Sequence, residues 1–258
     1  MTGDNGLRRC SINVLGCEMN PLTLDETVGE VDRLIQAGEP AQGFLVNADT
    51  MLQLRDDARL SEIVAACALV TADGQSIVWA ARLLGNVLPE RVAGPDLFDA
   101  LLELAAQKDY SVFFLGARPG IAARAARRSV TSHPGLRIAG VHHGYFEEKD
   151  SEAVVEAVRE ARPHMLFVGM PSPRKDYWVS DNLARLGAPF ALGVGGTFDV
   201  VAGVVARAPV CMQRAGLEWV YRLCQEPGRM WKRYLIGNMR FGALVVRELC
   251  ERRANTRN

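Results

Sequence analysis

The chain has 258 residues, 48% of them apolar and 23% charged, with 30 basic and 30 acidic side chains in balance. That content is ample for a packed core, and the length suits one large domain or a domain with an appendage. The longest unbroken apolar run, Ile63 to Val70, is far below the roughly 20 residues of a spanning helix. The first ten residues have basic side chains but no apolar stretch behind them, so no signal peptide is expected.

Read in chain order, short continuous apolar runs alternate with helical stretches. Gly43–Val46 is a buried strand entering the polar turn Asn47-Ala48-Asp49, and helical spacing covers Thr50–Cys67. Ala68–Thr71 is a strand ending in Ala72-Asp73-Gly74, with a helix beginning near Gln75. A helix around Pro95–Gln107 follows, with Asp96 near its start, where a negative charge favours the amide dipoles. Ser111–Leu115 is a strand closed by the turn Gly116–Gly120 and a helix rich in Ala and Arg. Leu136–Val141 is a strand leading to His142-His143-Gly144, and a helix near Ser151–Ala161 precedes the strand His164–Val168. Trp178–Leu186 reads as helix and Pro189–Val194 as strand, broken by Gly195-Gly196. Continuous rather than alternating apolar strands, separated by helices, predict an α/β fold with a mostly parallel, Rossmann-like sheet covered on both faces.

In such sheets ligands bind outside the carboxyl ends of the strands. Asn47, Asp73, Gly169–Lys175 and Gly193–Asp199 all follow predicted strands and are expected on one rim. Asp73, beside a glycine that permits close ligand approach, can serve as a general base toward a hydroxyl; the alternative is a carboxylate capping the next helix. Arg91 can clamp a phosphate or carboxylate through paired donors, the alternative being a surface ion pair. Gly193-Val-Gly-Gly-Thr197 offers free backbone N–H groups and a hydroxyl, a plausible anion cradle. It is neither a Walker A loop nor a dinucleotide fingerprint. The six cysteines form no CxxC pair and the four histidines no HExxH, so reduced thiols and no protein-bound metal are expected.

The positive charge is concentrated at the end. Residues 207–258 contain eleven Lys/Arg against four acids, so residues 1–206 carry a net negative charge. Several arginines recur seven apart (207/214, 222/229, 233/240/247), a spacing expected to line one side of a helix. Trp219 and Trp231 are expected to pack within this segment. The split predicts a core over 1–206 and a basic helical appendage over 207–258, suited to phosphates or an anionic membrane surface.

Taken together, Thr71-Ala-Asp-Gly74, Arg91-Val-Ala-Gly94 with Asp96-Leu97, Gly193-Val-Gly-Gly-Thr-Phe-Asp199, Gly203 with Arg207-Ala-Pro209, Leu217-Glu-Trp219 and the run from Tyr221 to Tyr234 resemble the WecG/TagA/CpsF family of bacterial glycosyltransferases. The resemblance covers about Asn13 to Asn238. It implies an inverting, metal-independent enzyme with no cofactor, moving a sugar from a UDP-sugar to a polyprenyl-diphosphate-linked saccharide in cell-surface polysaccharide synthesis. Its place would be cytoplasmic, peripheral at the inner face of the membrane. Asp73 would be the base and Arg91 an active-site residue. Arg222, Arg229 and Arg233 (or Lys232) would complete the site over the diphosphate. Asn47, Lys175, Gly195, Gly196 and Thr197 would bind substrate. No nucleic acid is expected as partner, and self-association into a homo-oligomer is compatible with the aromatic appendage. The chain departs from the family pattern at Leu45, where many relatives have threonine, and at Lys175, where many have glutamine. The competing reading is a non-catalytic module, peripheral to the membrane, that organises a polysaccharide assembly complex.

Overall fold

A computed structural model describes residues 11–214, 216–225 and 227–255, without the side chains of 214, 227, 229, 230, 232–234 and 255. Six strands form a wholly parallel sheet: β3 (Ala41–Val46), β4 (Leu69–Ala72), β5 (Ser111–Gly116), β6 (Arg137–His142), β7 (Met165–Gly169) and β8 (Phe190–Gly193), in the spatial order β4-β3-β8-β7-β5-β6. A short antiparallel hairpin, β1 (Ile12–Val14) and β2 (Cys17–Met19), precedes it. The sequence reading did not anticipate this hairpin, because three-residue strands are too short for a periodic signal.

The helices are α1 (Leu24–Ala37), α2 (Ala48–Asp56), α3 (Ala58–Ala66), α4 (Gln75–Leu83), α5 (Gly94–Lys108), α6 (Ile121–Ser132), α7 (Ser151–Ala161), α8 (Arg174–Asn182), α9 (Thr197–Val201), α10 (Val210–Arg214), α11 (Glu218–Gln225) and α12 (Pro227–Asn255). The expected single helix over Thr50–Cys67 is two helices, because Asp57 ends α2 and its side chain accepts from Leu60 N–H to cap α3. The helix expected over Trp178–Leu186 begins earlier, at Arg174, directly after Pro173.

Side chains of α1, α5, α6 and α9 pack on one face of the sheet around Phe98, Phe114, Phe167, Phe190 and Phe198. The other face is covered near β3 and β4 by α2, α3 and α4, and near β5 and β7 by α7 and α8. Every strand of the sheet but β6 and the last residue of β8 is buried to the side-chain level or nearly so, which is why the strands read as unbroken apolar runs. The chain leaving β3 goes to one face through α2, and the chain leaving the adjacent β8 goes to the other through α9. Opposite exits from neighbouring strands open a crevice at their carboxyl ends.

The C-terminal segment is three helices rather than one. Gly216, with φ +70°, separates α10 from α11, and Pro227 opens α12, a position where proline's missing N–H costs nothing. Of the three seven-spaced sets, only 233/240/247 therefore falls within a single helix. Phe241 and Val245 of α12 are buried in one cluster with Met51, Ile77, Ala80 and Leu84. Trp219 and Trp231, expected inside, are 38% and 46% exposed.

Candidate active site

Asp73 directly follows β4 at the carboxyl edge, where its N–H donates to Val46 O at the end of β3 at 2.8 Å. It does not cap α4. The cap position is Gly74, which makes no side-chain cap hydrogen bond. The carboxylate turns instead to Gly94, whose N–H donates to Asp73 Oδ1 at 2.7 Å. Among the described residues, Oδ2 accepts no hydrogen bond. One oxygen is thus anchored by the backbone of Gly94.

Gly94 has a second use. A Cβ there would lie 3.2 Å from Leu45 Cδ1, 3.7 Å from Asp73 Oδ1 and 4.0 Å from Thr197 Oγ1. Three strand ends, those of β3, β4 and β8, therefore meet over this glycine. Leu45 presents a methyl group to the place beside the Asp73 carboxylate, where a threonine would present a hydroxyl. The Thr197 hydroxyl donates to Val194 O at 2.8 Å and holds the turn closed. Gly195 has φ +53°, and a Cβ at Gly195 or Gly196 would meet no heavy atom within 4 Å, so this part of the turn borders open space. Asn47, also expected to bind substrate, caps α2: Oδ1 accepts from Asp49 N–H at 3.0 Å and Thr50 N–H at 3.1 Å.

Lys175 is not a free cation on the rim. It is buried, with Nζ 2.8 Å from both oxygens of Asp176 and 5.4 Å above the Phe44 ring. Asp176 also accepts from Ser172 Oγ at 2.5 Å. The lysine stem lies across Gly193, whose absent side chain makes the space for it.

Arg91 reaches the C-terminal segment. Its Nη1 donates to Glu218 Oε2 at 3.3 Å. Arg207 Nε lies 3.8 Å from Glu218 Oε1, and Arg222 Nη2 lies 3.9 Å from the same oxygen. Arg207 Nη2 is 2.6 Å from Asp96 Oδ1. Among the described residues, three guanidinium groups thus face two carboxylates, an excess of one positive charge. Arg91, Gly94 and Asp96 belong to one short segment, so the stretch that contacts Glu218 of α11 also holds the Asp73 carboxylate. Arg91 and Arg222 both approach Glu218; the side chains of Arg229, Arg233 and Lys232 lie outside the described residues. Arg207, Glu218 and Asp96 were not singled out as site residues in the sequence reading. The available signal was Glu218, one of few acids in a strongly basic segment.

Beside this rim, α12 borders a cleft of about 420 Å³ lined by Asp49, Gln53, Asp56, Pro173, Ile236 and Arg240. No cluster of three or more metal-ligating side chains occurs among the described residues.

The sequence matches the model of the glycosyl transferase WecG/TagA/CpsF family over residues 12–255. The chain belongs to this family. It is 34% identical over 194 residues, 74% of either chain, to the N-acetylglucosaminyldiphosphoundecaprenol N-acetyl-beta-D-mannosaminyltransferase of Bacillus spizizenii. As a WecG/TagA/CpsF glycosyltransferase, it is an enzyme, which sets aside the reading of a non-catalytic module. No helix among the described residues of this family member is long and apolar enough to cross a membrane.

Proposed function

We propose that this glycosyltransferase moves a sugar from a UDP-sugar to a hydroxyl of a polyprenyl-diphosphate-linked saccharide, with inversion at the anomeric carbon. The acceptor oxygen attacks the anomeric carbon, the bond from that carbon to the UDP oxygen breaks, and its electron pair leaves with UDP. The acceptor's proton passes to Asp73 Oδ2. The observation that carries this reading is the Asp73 carboxylate, fixed through one oxygen by Gly94 N–H beside a segment that also presents Arg91. A positioned base of this kind contributes about 10²–10⁴-fold. Charge developing on the departing diphosphate is met by guanidinium groups and backbone N–H groups rather than by a metal.

The relative's name supports the lipid-linked acceptor. So does α12, where Leu235, Met239 and Val246 form an exposed apolar stripe. Arg240 and Arg247 lie along a neighbouring line of the same helix and are largely exposed. This arrangement suits a helix lying against an anionic membrane surface on its cytoplasmic side. The donor sugar is tested directly by measuring UDP release from a panel of UDP-sugars with a short-chain prenyl-diphosphate saccharide, with and without EDTA. Acceptor-dependent release that survives EDTA is expected. Release that requires an added divalent cation would overturn the metal-independent mechanism, and no release with any donor would overturn the substrate assignment.

A further inference from the structure

Residues 111–146 contain five arginines and three of the four histidines but no aspartate or glutamate, inside a core whose net charge is negative. Arg124, Arg127 and Arg128 stand at i, i+3 and i+4 on the side of α6 away from the alanines (Ala122, Ala125, Ala126) that bury the helix against the sheet. Arg118 lies just before the helix, in the turn that follows β5 at the carboxyl rim. All four are exposed. Among the described residues no carboxylate pairs with any of them, whereas His133 and Arg137 of the same stretch meet Asp99 and Asp109. Two of the four are held together. A Cβ at Gly203, a position with φ +69°, would lie 3.8 Å from Arg124 Nη2 and would collide with Arg128 Nη1. Arg128 Nη1 also donates to Ala202 O at 3.4 Å. Like charges gathered without a counter-ion repel one another, so the cluster is favoured when an anion comes near.

The place of the cluster says which anion. Ala202 and Gly203 follow α9, the helix through which the chain leaves the crevice between β3 and β8, and α6 packs on α9 in the same apolar layer. Four residues beyond Gly203, Arg207 reaches Asp96 at the rim. The α6 arginines thus border the crevice from one face of the sheet, whereas α12 and its exposed apolar stripe belong to the other. A lipid-linked acceptor held at a membrane against α12 leaves the α6 side open to water-soluble molecules. We infer that the outer face of α6, with Arg118, Arg124, Arg127 and Arg128, is an electrostatic approach for the sugar-nucleotide donor, drawing its diphosphate from solution toward the crevice without holding it during the reaction. This deepens the proposed reaction and rests on it for the donor being a UDP-sugar. Such attraction acts over about 8 Å at physiological ionic strength and raises association rates by about 10–10³-fold. The acidic remainder of the core repels the same donor, so the basic face also sets the direction of entry.

The test reads association and needs no turnover. Arg124→Gln/Arg127→Gln/Arg128→Gln removes three charges from exposed positions, and Arg124→Lys/Arg127→Lys/Arg128→Lys keeps them while losing the guanidinium geometry. Binding of UDP and of uridine to wild type and both variants is followed by stopped-flow fluorescence, at low salt and at about 1 M salt, where the Debye length is about 3 Å. At low salt the glutamine variant is expected to take up UDP about tenfold more slowly than wild type. Uridine, which carries no charge, should bind all three proteins at one rate, and the dissociation rate of UDP should not change. The lysine variant should match wild type, and the high salt should bring the three UDP rates together. Equal UDP rates for wild type and the glutamine variant at low salt would overturn the inference and leave this face to an acidic partner protein. Uridine slowed by the same factor, or a lysine variant as slow as the glutamine one, would overturn it as well, because the arginines would then be shaping the site rather than attracting charge. Failure of wild type to bind UDP at all would remove the proposed donor, and this inference with it, so the two failures can be told apart.

Discussion

Gly193→Ala is expected to destabilise the enzyme through Lys175 alone. A Cβ at position 193 would lie 2.9 Å from Lys175 Cδ and closer still to Cε, so the lysine stem must leave its channel. Its ammonium would then leave Asp176, whose side chain is only 2% exposed. Breaking a buried pair while one partner stays inside costs about 3–5 kcal/mol. Taking about 3 kcal/mol, because Ser172 Oγ still donates to Asp176, the unfolding temperature of a chain this size should fall by about 6–12 °C. Urea unfolding and calorimetry measure the change directly. The decisive comparison is the cycle with Lys175→Ala, which breaks the same pair and empties the same channel. In that background Gly193→Ala should cost less than about 1 kcal/mol, because the two substitutions act on one contact. Additive costs, or a Gly193→Ala chain as stable as wild type, would refute the reasoning.

Other expectations follow from separate parts of the molecule. Replacing Arg240 and Arg247 together by Gln should weaken binding to anionic vesicles about 30-fold at low salt, from about 1 kcal/mol per basic residue; vesicle co-sedimentation unchanged by the pair would remove α12 from the membrane contact. The hydroxyl of Tyr177, followed by the N–H of Leu60, holds the Asp57 carboxyl below its ordinary value. A depressed folded value means that Asp57 contributes stability fully above its unfolded pKa and loses it as pH falls through the folded one. The stability gap between wild type and Asp57→Asn should therefore narrow with acidification below about pH 4, and a gap that widens there would contradict the assignment. Burial, followed by the nearby Glu18 charge, pushes the Cys17 thiol up to about 12. In native protein at pH 8, Cys17 should resist a thiol reagent that labels the exposed Cys211, Cys224 and Cys250; mass spectrometry after brief labelling shows which cysteines react.

Much of the fold was legible because the parallel strands are buried on both faces. Phe113, Leu115, Leu166 and Val168 serve one layer and Phe114 and Phe167 the other, and such strands announce themselves as unbroken apolar runs. The rim residues Asn47, Asp73 and Thr197 were legible for the same reason, since each follows a strand. Partner choice was less so. Nothing local to Asp73 says that its carboxylate turns to Gly94, 21 residues on, rather than to the adjacent helix. Lys175 reads as a rim cation because its sequence neighbours are polar, whereas the space that hides it is made by Gly193, at the end of β8. The regular spacing of arginines suggested one helix, but Gly216 and Pro227 divide the segment, and it is Glu218 that collects Arg91, Arg207 and Arg222.

The central claim is that Asp73 accepts the proton from the attacking hydroxyl. Single-turnover transfer from the preferred UDP-sugar to a short-chain prenyl-diphosphate saccharide, comparing wild type with Asp73→Asn, tests it most directly. Asparagine keeps an oxygen for Gly94 N–H and cannot take the proton at neutral pH. The expected result is a chemical step slowed by about 10²–10⁴-fold, with UDP affinity and unfolding temperature close to wild type. A step slowed less than about tenfold, in a variant that binds both substrates, would contradict the account.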